Sequence, residues 1–167
     1  DKGEGVEENK SEAVKWFKKA AEQGETKAQF NLGCCYDKGE GIEENKSEAV
    51  KWFKKVAEQG EVKAQCILGY CYNKGEGVKE DKAESVKWYM KAAEQGYSDA
   101  QFALAFCYEI GDGVKEDKTE AVKWYTKAAE QGDATAQFSL GYCYYKGDGV
   151  EKNVDEALKW YLRSAKN

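Results

Sequence analysis

Apolar residues in this chain keep two periods at once. In the stretch TKAQFNLGCCYDKGEGIEENKSEAVKWFKKVAEQGE, residues 26–61, Ala28, Leu32, Cys35 and Tyr36 fall at i, i+4, i+7 and i+8. That spacing is one face of an α-helix. After a break, Ala49, Val50, Trp52, Phe53, Val56 and Ala57 form a second such face, with Lys51, Lys54 and Lys55 on the water side. The whole pattern returns every 36 residues, marked by Trp16, Trp52, Trp88, Trp124 and Trp160 and by Tyr36, Tyr72, Tyr108 and Tyr144. A fixed period in this range signals a stacked array of supersecondary units. Each unit reads as an antiparallel hairpin: helix A, roughly residues 27–38 in the first complete copy, then helix B after Asn45.

The breaks carry turn chemistry. Gly39 and Gly41 permit a sharp reversal, and the apolar residue after them (Val6, Ile42, Val78, Val114, Val150) is expected to plug the core at the loop. Asn45 is the predicted N-cap of helix B, with Glu48 reaching back to its N–H in a reciprocal capping box. Asn9/Glu12, Asp81/Glu84, Asp117/Glu120 and Asn153/Glu156 repeat the pair. Gly33 lets a neighbouring helix approach, and Gly60 ends helix B in the left-handed conformation. A lone hairpin leaves one apolar face wet, and stacking hides it, with the tryptophan column as the largest part of the interface.

The array divides as 1–25, 26–61, 62–97, 98–133 and 134–167, the first piece being a loop and a lone helix B. In that piece Val14, Phe17 and Ala21 lack a preceding helix A, so this end is expected to stack on another molecule. End-to-end self-association is the consequence.

Composition narrows the function. The hydrophobic content of 41% is enough for a core, and the formal net charge of -5 argues against nucleic acid, which asks for a basic stripe. The longest apolar runs are only a few residues, so no membrane insertion is expected. No signal peptide is visible. The chain holds no histidine, the commonest general base and metal ligand. Cys35, Cys71, Cys107 and Cys143 share one repeat position. Stacked hairpins sit roughly 10 Å apart, beyond the ~7 Å Cα limit of a disulfide. They read as small buried hydrophobes, and free thiols favour a reducing compartment such as the cytoplasm.

The pattern A-x-x-x-L-G-x-x-Y-x-x-G-x-G-V followed by D/N-x-x-x-E-A-V-K-W-Y/F-x-K-A-A-E-Q-G resembles the Sel1-like repeat, a relative of the tetratricopeptide repeat. Ala64, Leu68, Gly69, Tyr72, Gly75, Gly77 and Val78 carry it, and Asp81, Lys87, Trp88, Tyr89, Lys91, Ala92, Ala93, Glu94, Gln95 and Gly96 continue it. Ala105 stands in place of the glycine and Ser85 in place of the helix-B alanine. The resemblance implies an all-α fold, an α-solenoid of antiparallel helix pairs stacked as a right-handed superhelix, with helix A lining the concave face. It also implies adaptors that assemble complexes. Some cysteine-rich bacterial relatives tie each hairpin with a disulfide, and this chain lacks such pairs.

By the same resemblance, the partner-binding face comprises Phe30, Cys34 and Lys38, then Cys66, Tyr70 and Lys74, then Phe102, Phe106, Glu109 and Ile110, and finally Phe138, Tyr142 and Tyr145. Lys27 and Lys63 flank it, and the lysines would pair with acidic groups. Aromatics suit such a face because they dominate binding hot spots. Phe102 and Phe106 could equally pack into the core. The function read from this is a non-catalytic scaffold for a protein or peptide. An engineered or purely structural array without a natural ligand is the alternative. Enzyme signatures are missing: there is no Ser-x-x-Lys, no Gly-x-Ser-x-Gly and no histidine to activate a nucleophile. The Gly-x-Gly loops follow a helix and are flanked by Glu43 and Glu44, unlike a phosphate cradle. Cys34 and Cys66 alone make an incomplete zinc site. No cofactor or metal is expected.

Overall fold

A computed structural model describes residues 4–166, with side chains from residue 9 onward. Every regular element among them is an α-helix. The chain forms two compact units, Asp1–Asp81 and Lys82–Asn167. The first holds α1 (Glu4–Glu22), α2 (Thr26–Lys38), α3 (Lys46–Glu58) and α4 (Val62–Lys74). The second holds α5 (Lys82–Glu94), α6 (Ser98–Ile110), α7 (Lys118–Glu130), α8 (Ala134–Lys146) and α9 (Val154–Ser164). Even-numbered helices are the A type and odd-numbered ones the B type.

Helix ends follow the turn residues. Each A helix stops at a left-handed glycine, as at Gly39, whose N–H returns to the Cys35 carbonyl. The B helices α1, α3, α5 and α7 stop in a Schellman arrangement: Gly60 N–H donates to Ala57 O at 3.0 Å and Glu61 N–H to Val56 O at 3.3 Å. The starts differ from the reciprocal capping box. The Asn45 side chain does accept from Glu48 N–H at 3.0 Å. Glu48, however, pairs with Lys51 instead of turning back. The Asn45 N–H is already spent on Tyr36 O at 2.8 Å, and Asp81, Asp117 and Asn153 donate likewise to Tyr72, Tyr108 and Tyr144. The repeated tyrosine position therefore has a backbone duty: its carbonyl ties the end of helix A to the start of helix B. Asn9 is a correction of another kind. Helix α1 already runs from Glu4, so Asn9 lies inside the helix and not at its cap.

The second glycine of each loop is set by a close approach. A Cβ on Gly113, which has φ of +75°, would stand 2.1 Å from the Lys82 carbonyl oxygen. In the first unit, Gly77 meets Lys46 O in the same way, and the Ser47 hydroxyl donates to Gly77 O at 3.0 Å. The loop of one repeat thus rests on the first turn of helix B from the repeat before. Ile42, beside it, packs on the cluster of Val14, Ala21, Ala28 and Leu32, as the sequence suggests for this position. Val6, its counterpart, lies outside the described side chains.

Two columns divide the burial of helix B. Val14, Val50, Val86 and Val122 are all buried, Val122 being 9% exposed, yet Leu158 at the same position is 56% exposed. Helix α9 packs on α8 as α7 packs on α6. No A helix follows α9 among the described residues, so the following A helix is what covers this column in the other repeats. The tryptophans show the reverse. Trp124 is 6% exposed, whereas Trp16 is 61% exposed although α2 follows it. Trp52 shows why: it packs back onto the cluster from α1 and α2. At the first helix, then, Val14 and Ala21 are covered by α2 and Trp16 is left open, which corrects the expectation that Val14 and Ala21 would be bare.

A buried glutamine at one repeat position completes the joints. Gln29, Gln65, Gln101 and Gln137 are each buried and donate to Ala21 O, Ala57 O, Ala93 O and Ala129 O, at 3.0–3.1 Å. These carbonyls lie in the last turn of the preceding B helix, where each already accepts the N–H of the closing glycine, and the glutamine occupies the second lone pair.

Trp124→Ala should cost roughly 3–5 kcal/mol, the usual range for a buried aromatic. Trp16→Ala should cost less than about 1 kcal/mol. Urea denaturation of both variants tests the assignment, and equal losses would contradict it.

Candidate functional site

In the second unit, A helices α6 and α8 carry apolar side chains that the core does not take. Phe106 and Ile110 of α6 and Phe138, Tyr142 and Tyr145 of α8 are 42–57% exposed. Helical spacing accounts for this. Leu104 and Leu140 turn into the core, and the residues two places later point away from it. Phe102 sits between the two situations. It is half-buried, with its ring 5.6 Å from Tyr125, while Phe138 lies 5.2 Å from Tyr161. The choice between groove and core thus differs for the two phenylalanines of α6: Phe102 braces Tyr125, and Phe106 faces out.

Tyr125 is fully buried and its hydroxyl donates to the Glu109 carboxylate at 2.7 Å. Burial first, and then the Glu109 hydrogen bond, push its pKa upward. Glu109 therefore has an internal partner. Lys146 lies 5.7 Å from the Tyr142 ring and 5.8 Å from that of Tyr145.

In the first unit, Phe30 is half-buried against Phe53, with ring centroids 5.8 Å apart. Cys34 and Cys66 are half-buried, and burial raises the Cys34 pKa. Tyr70 is exposed and donates to Glu76 at 3.2 Å. Lys38 and Lys74 stand exposed at the last turns of α2 and α4.

Sequence reasoning passed over two regularities. A cation lies over every indole: Lys19, Lys55, Lys91, Lys127 and Arg163 sit 4.7, 4.3, 4.0, 3.8 and 4.6 Å from the rings of Trp16, Trp52, Trp88, Trp124 and Trp160. The signal was present, a cation three residues after each tryptophan, and it reads as a water-facing position until the ring is placed. The glutamine after the helix-A alanine was equally periodic, but glutamine is mostly an exposed residue type. Both features are contacts within the fold. Among the described residues, no group of three or more His, Cys, Asp or Glu could hold a metal, and no helix is long and apolar enough to cross a membrane.

Comparison with known proteins agrees with this architecture. The family model for the Sel1 repeat matches residues 1–25, 26–61, 62–97, 98–133 and 134–167. The chain belongs to the Sel1 repeat family, and its fold is the α-solenoid of that family. Proteins of the family generally serve as non-catalytic interaction scaffolds. A Sel1 repeat protein from Oxalobacter formigenes is 46% identical with a TM-score of 0.90, over 94% of this chain and 65% of that one. A protective antigen present in uropathogenic Escherichia coli strains, displaying an SLR fold, is 48% identical with a TM-score of 0.89, over 91% and 32%. Helicobacter pylori cysteine rich protein B is 30% identical with a TM-score of 0.56, over 70% and 89%. The chain thus spans 65% and 32% of the lengths of the first two. No curated protein matches it.

All six cysteines are thiols. Burial pushes Cys71, Cys107 and Cys143 up to about 11, from an ordinary value of 9.0. A thiol whose folded pKa is raised contributes stability that is fully present below the unfolded value and is lost as pH climbs through the folded one. The urea midpoint should therefore fall between pH 9 and 11. The Cys71→Ala/Cys107→Ala/Cys143→Ala variant should show a shallower fall, and an identical pH slope would rule the thiols out as its source.

Proposed function

We propose that this chain is a non-catalytic adaptor that binds a peptide or protein segment on its helix-A face. The observation that supports it is the set of outward aromatic and aliphatic side chains on α6 and α8. Phe106, Ile110, Tyr142 and Tyr145 are the apolar anchors, and Phe138 widens the surface. Grouped exposed apolar residues mark interaction sites more often than they serve the monomer, and tyrosine is enriched among binding hot spots. Phe102 and Glu109 act from beneath, by holding Tyr125. In the first unit Phe30, Cys34, Lys38, Cys66, Tyr70 and Lys74 occupy the corresponding positions and belong to the same proposed face. The net charge of -5 favours a protein partner over nucleic acid.

Phe106→Ala/Tyr142→Ala tests this reading. Both side chains are exposed, so unfolding stability should stay within about 1 kcal/mol of the parent. Protein captured from a lysate on the immobilised chain should be lost. Undiminished capture, or a collapse of melting, would refute the assignment.

A second reading concerns self-association. Val154, Leu158 and Leu162 leave an apolar stripe on α9, and Trp16 stands exposed on α1. We infer that copies of the chain associate through these ends at high concentration. Sedimentation equilibrium should show an average mass that rises with concentration and falls back in Leu158→Glu. A monomer at every concentration would refute it.

A further inference from the structure

We propose that the first unit holds a subsite for a carboxylate-bearing peptide, in a cavity where α2 and α4 begin. This rests on the adaptor reading and narrows it to one ligand chemistry. The cavity measures about 270 Å³ and is lined by Thr26, Lys27, Phe30, Asn31, Glu61 and Lys63. It lies just below the ~300–1,000 Å³ typical of sites that enclose a drug-sized ligand. One side chain or one chain terminus is the natural occupant.

Charge identifies the occupant. Most lysines near carboxylates are engaged: Lys46 with Asp37, Lys51 with Glu48, Lys118 with Asp148, Lys123 with Glu120 and Lys159 with Glu156. Others lie over indoles. Lys27 and Lys63 do neither, and both border the cavity. With the Asn31 amide they present hydrogen-bond donors to a carboxylate, and charge-assisted bonds of this kind are the strong ones. Phe30 supplies an apolar wall for the neighbouring side chain. Glu61 supplies an acceptor for a ligand N–H, which a peptide has and a bare anion lacks.

The repeat register shows that the fold does not ask for these residues. The position of Lys27 and Lys63 is Asp99 and Thr135 in the second unit, and that of Asn31 becomes Ile67, Ala103 and Ser139. Positions the stack requires do not vary in this way: the indole, the second loop glycine and the buried glutamine recur in each complete repeat. Phe30 recurs as Phe102 and Phe138, but α4 carries Cys66 there. Helix α4 therefore brings no ring at the level where α2 presents Phe30.

Fluorescence anisotropy with short fluorescein-labelled peptides tests the subsite. The probes are an amidated Glu–Leu repeat, a Ser–Leu repeat with a free terminal carboxylate, and an amidated Lys–Leu repeat. Binding of either carboxylate peptide, but not of the Lys–Leu peptide, supports the proposal and tells a side-chain carboxylate from a terminal one. Lys27→Met/Lys63→Met should weaken that binding roughly tenfold or more, while Lys54→Met/Lys115→Met leaves it unchanged. Lys27→Arg/Lys63→Arg keeps the charge and should retain binding, which separates lost recognition from lost folding. Equal binding by parent and Lys27→Met/Lys63→Met would overturn the proposal. So would displacement of the peptide by inorganic phosphate as effectively as by unlabelled peptide. Phe106→Ala/Tyr142→Ala should still bind the acidic peptide, so the subsite and the aromatic surface succeed or fail separately.

Discussion

Within each unit a B helix needs cover on two sides, and the rest of the structure follows from that need. Its valine column requires the next A helix, as Val122 and Leu158 show by contrast. Its indole requires what comes before, as Trp52 shows by packing on the α1–α2 cluster. A hairpin that cannot hide its own apolar surface gains stability only by lying against another. Apolar burial at about 25 cal/mol per Å² makes this the dominant favourable contribution.

Polar contacts then set the spacing. The loop glycines admit the first turn of helix B at a distance no side chain allows. The glutamines add a second bond to carbonyls in the last turn of helix B, and the tyrosine carbonyls fasten A to B. Such bonds add modest net stability, but leaving a buried partner unmade is costly. They therefore act chiefly on geometry: an altered approach between hairpins would break several at once. The cations over the indoles cover the outer rim of the same joint without needing burial of charge.

With stacking confined to these positions, the outward side of helix A is released from the fold. There the two units diverge. The second presents Phe106, Ile110, Phe138, Tyr142 and Tyr145, and the first presents lysines around a small cavity. Variation between repeats at positions that the stack ignores is what a recognition surface requires, since identical repeats would offer one contact several times over.

The array, its period, the helix class, the left-handed helix ends and the family were all legible in the residues, because helical periodicity and glycine conformation are local properties that the chain repeats in each copy. The exposed apolar positions of α6 and α8 were among those the sequence singled out. Only the tertiary structure decided between bracing and exposure for Phe102 and Phe106, which share a helix and a residue type. It also gave Glu109 to Tyr125, diverted Glu48 to Lys51, and brought Lys27 and Lys63 to one cavity. The reason is physical: these outcomes depend on which groups from separate helices come within a few ångströms, and no periodicity along one chain encodes that distance.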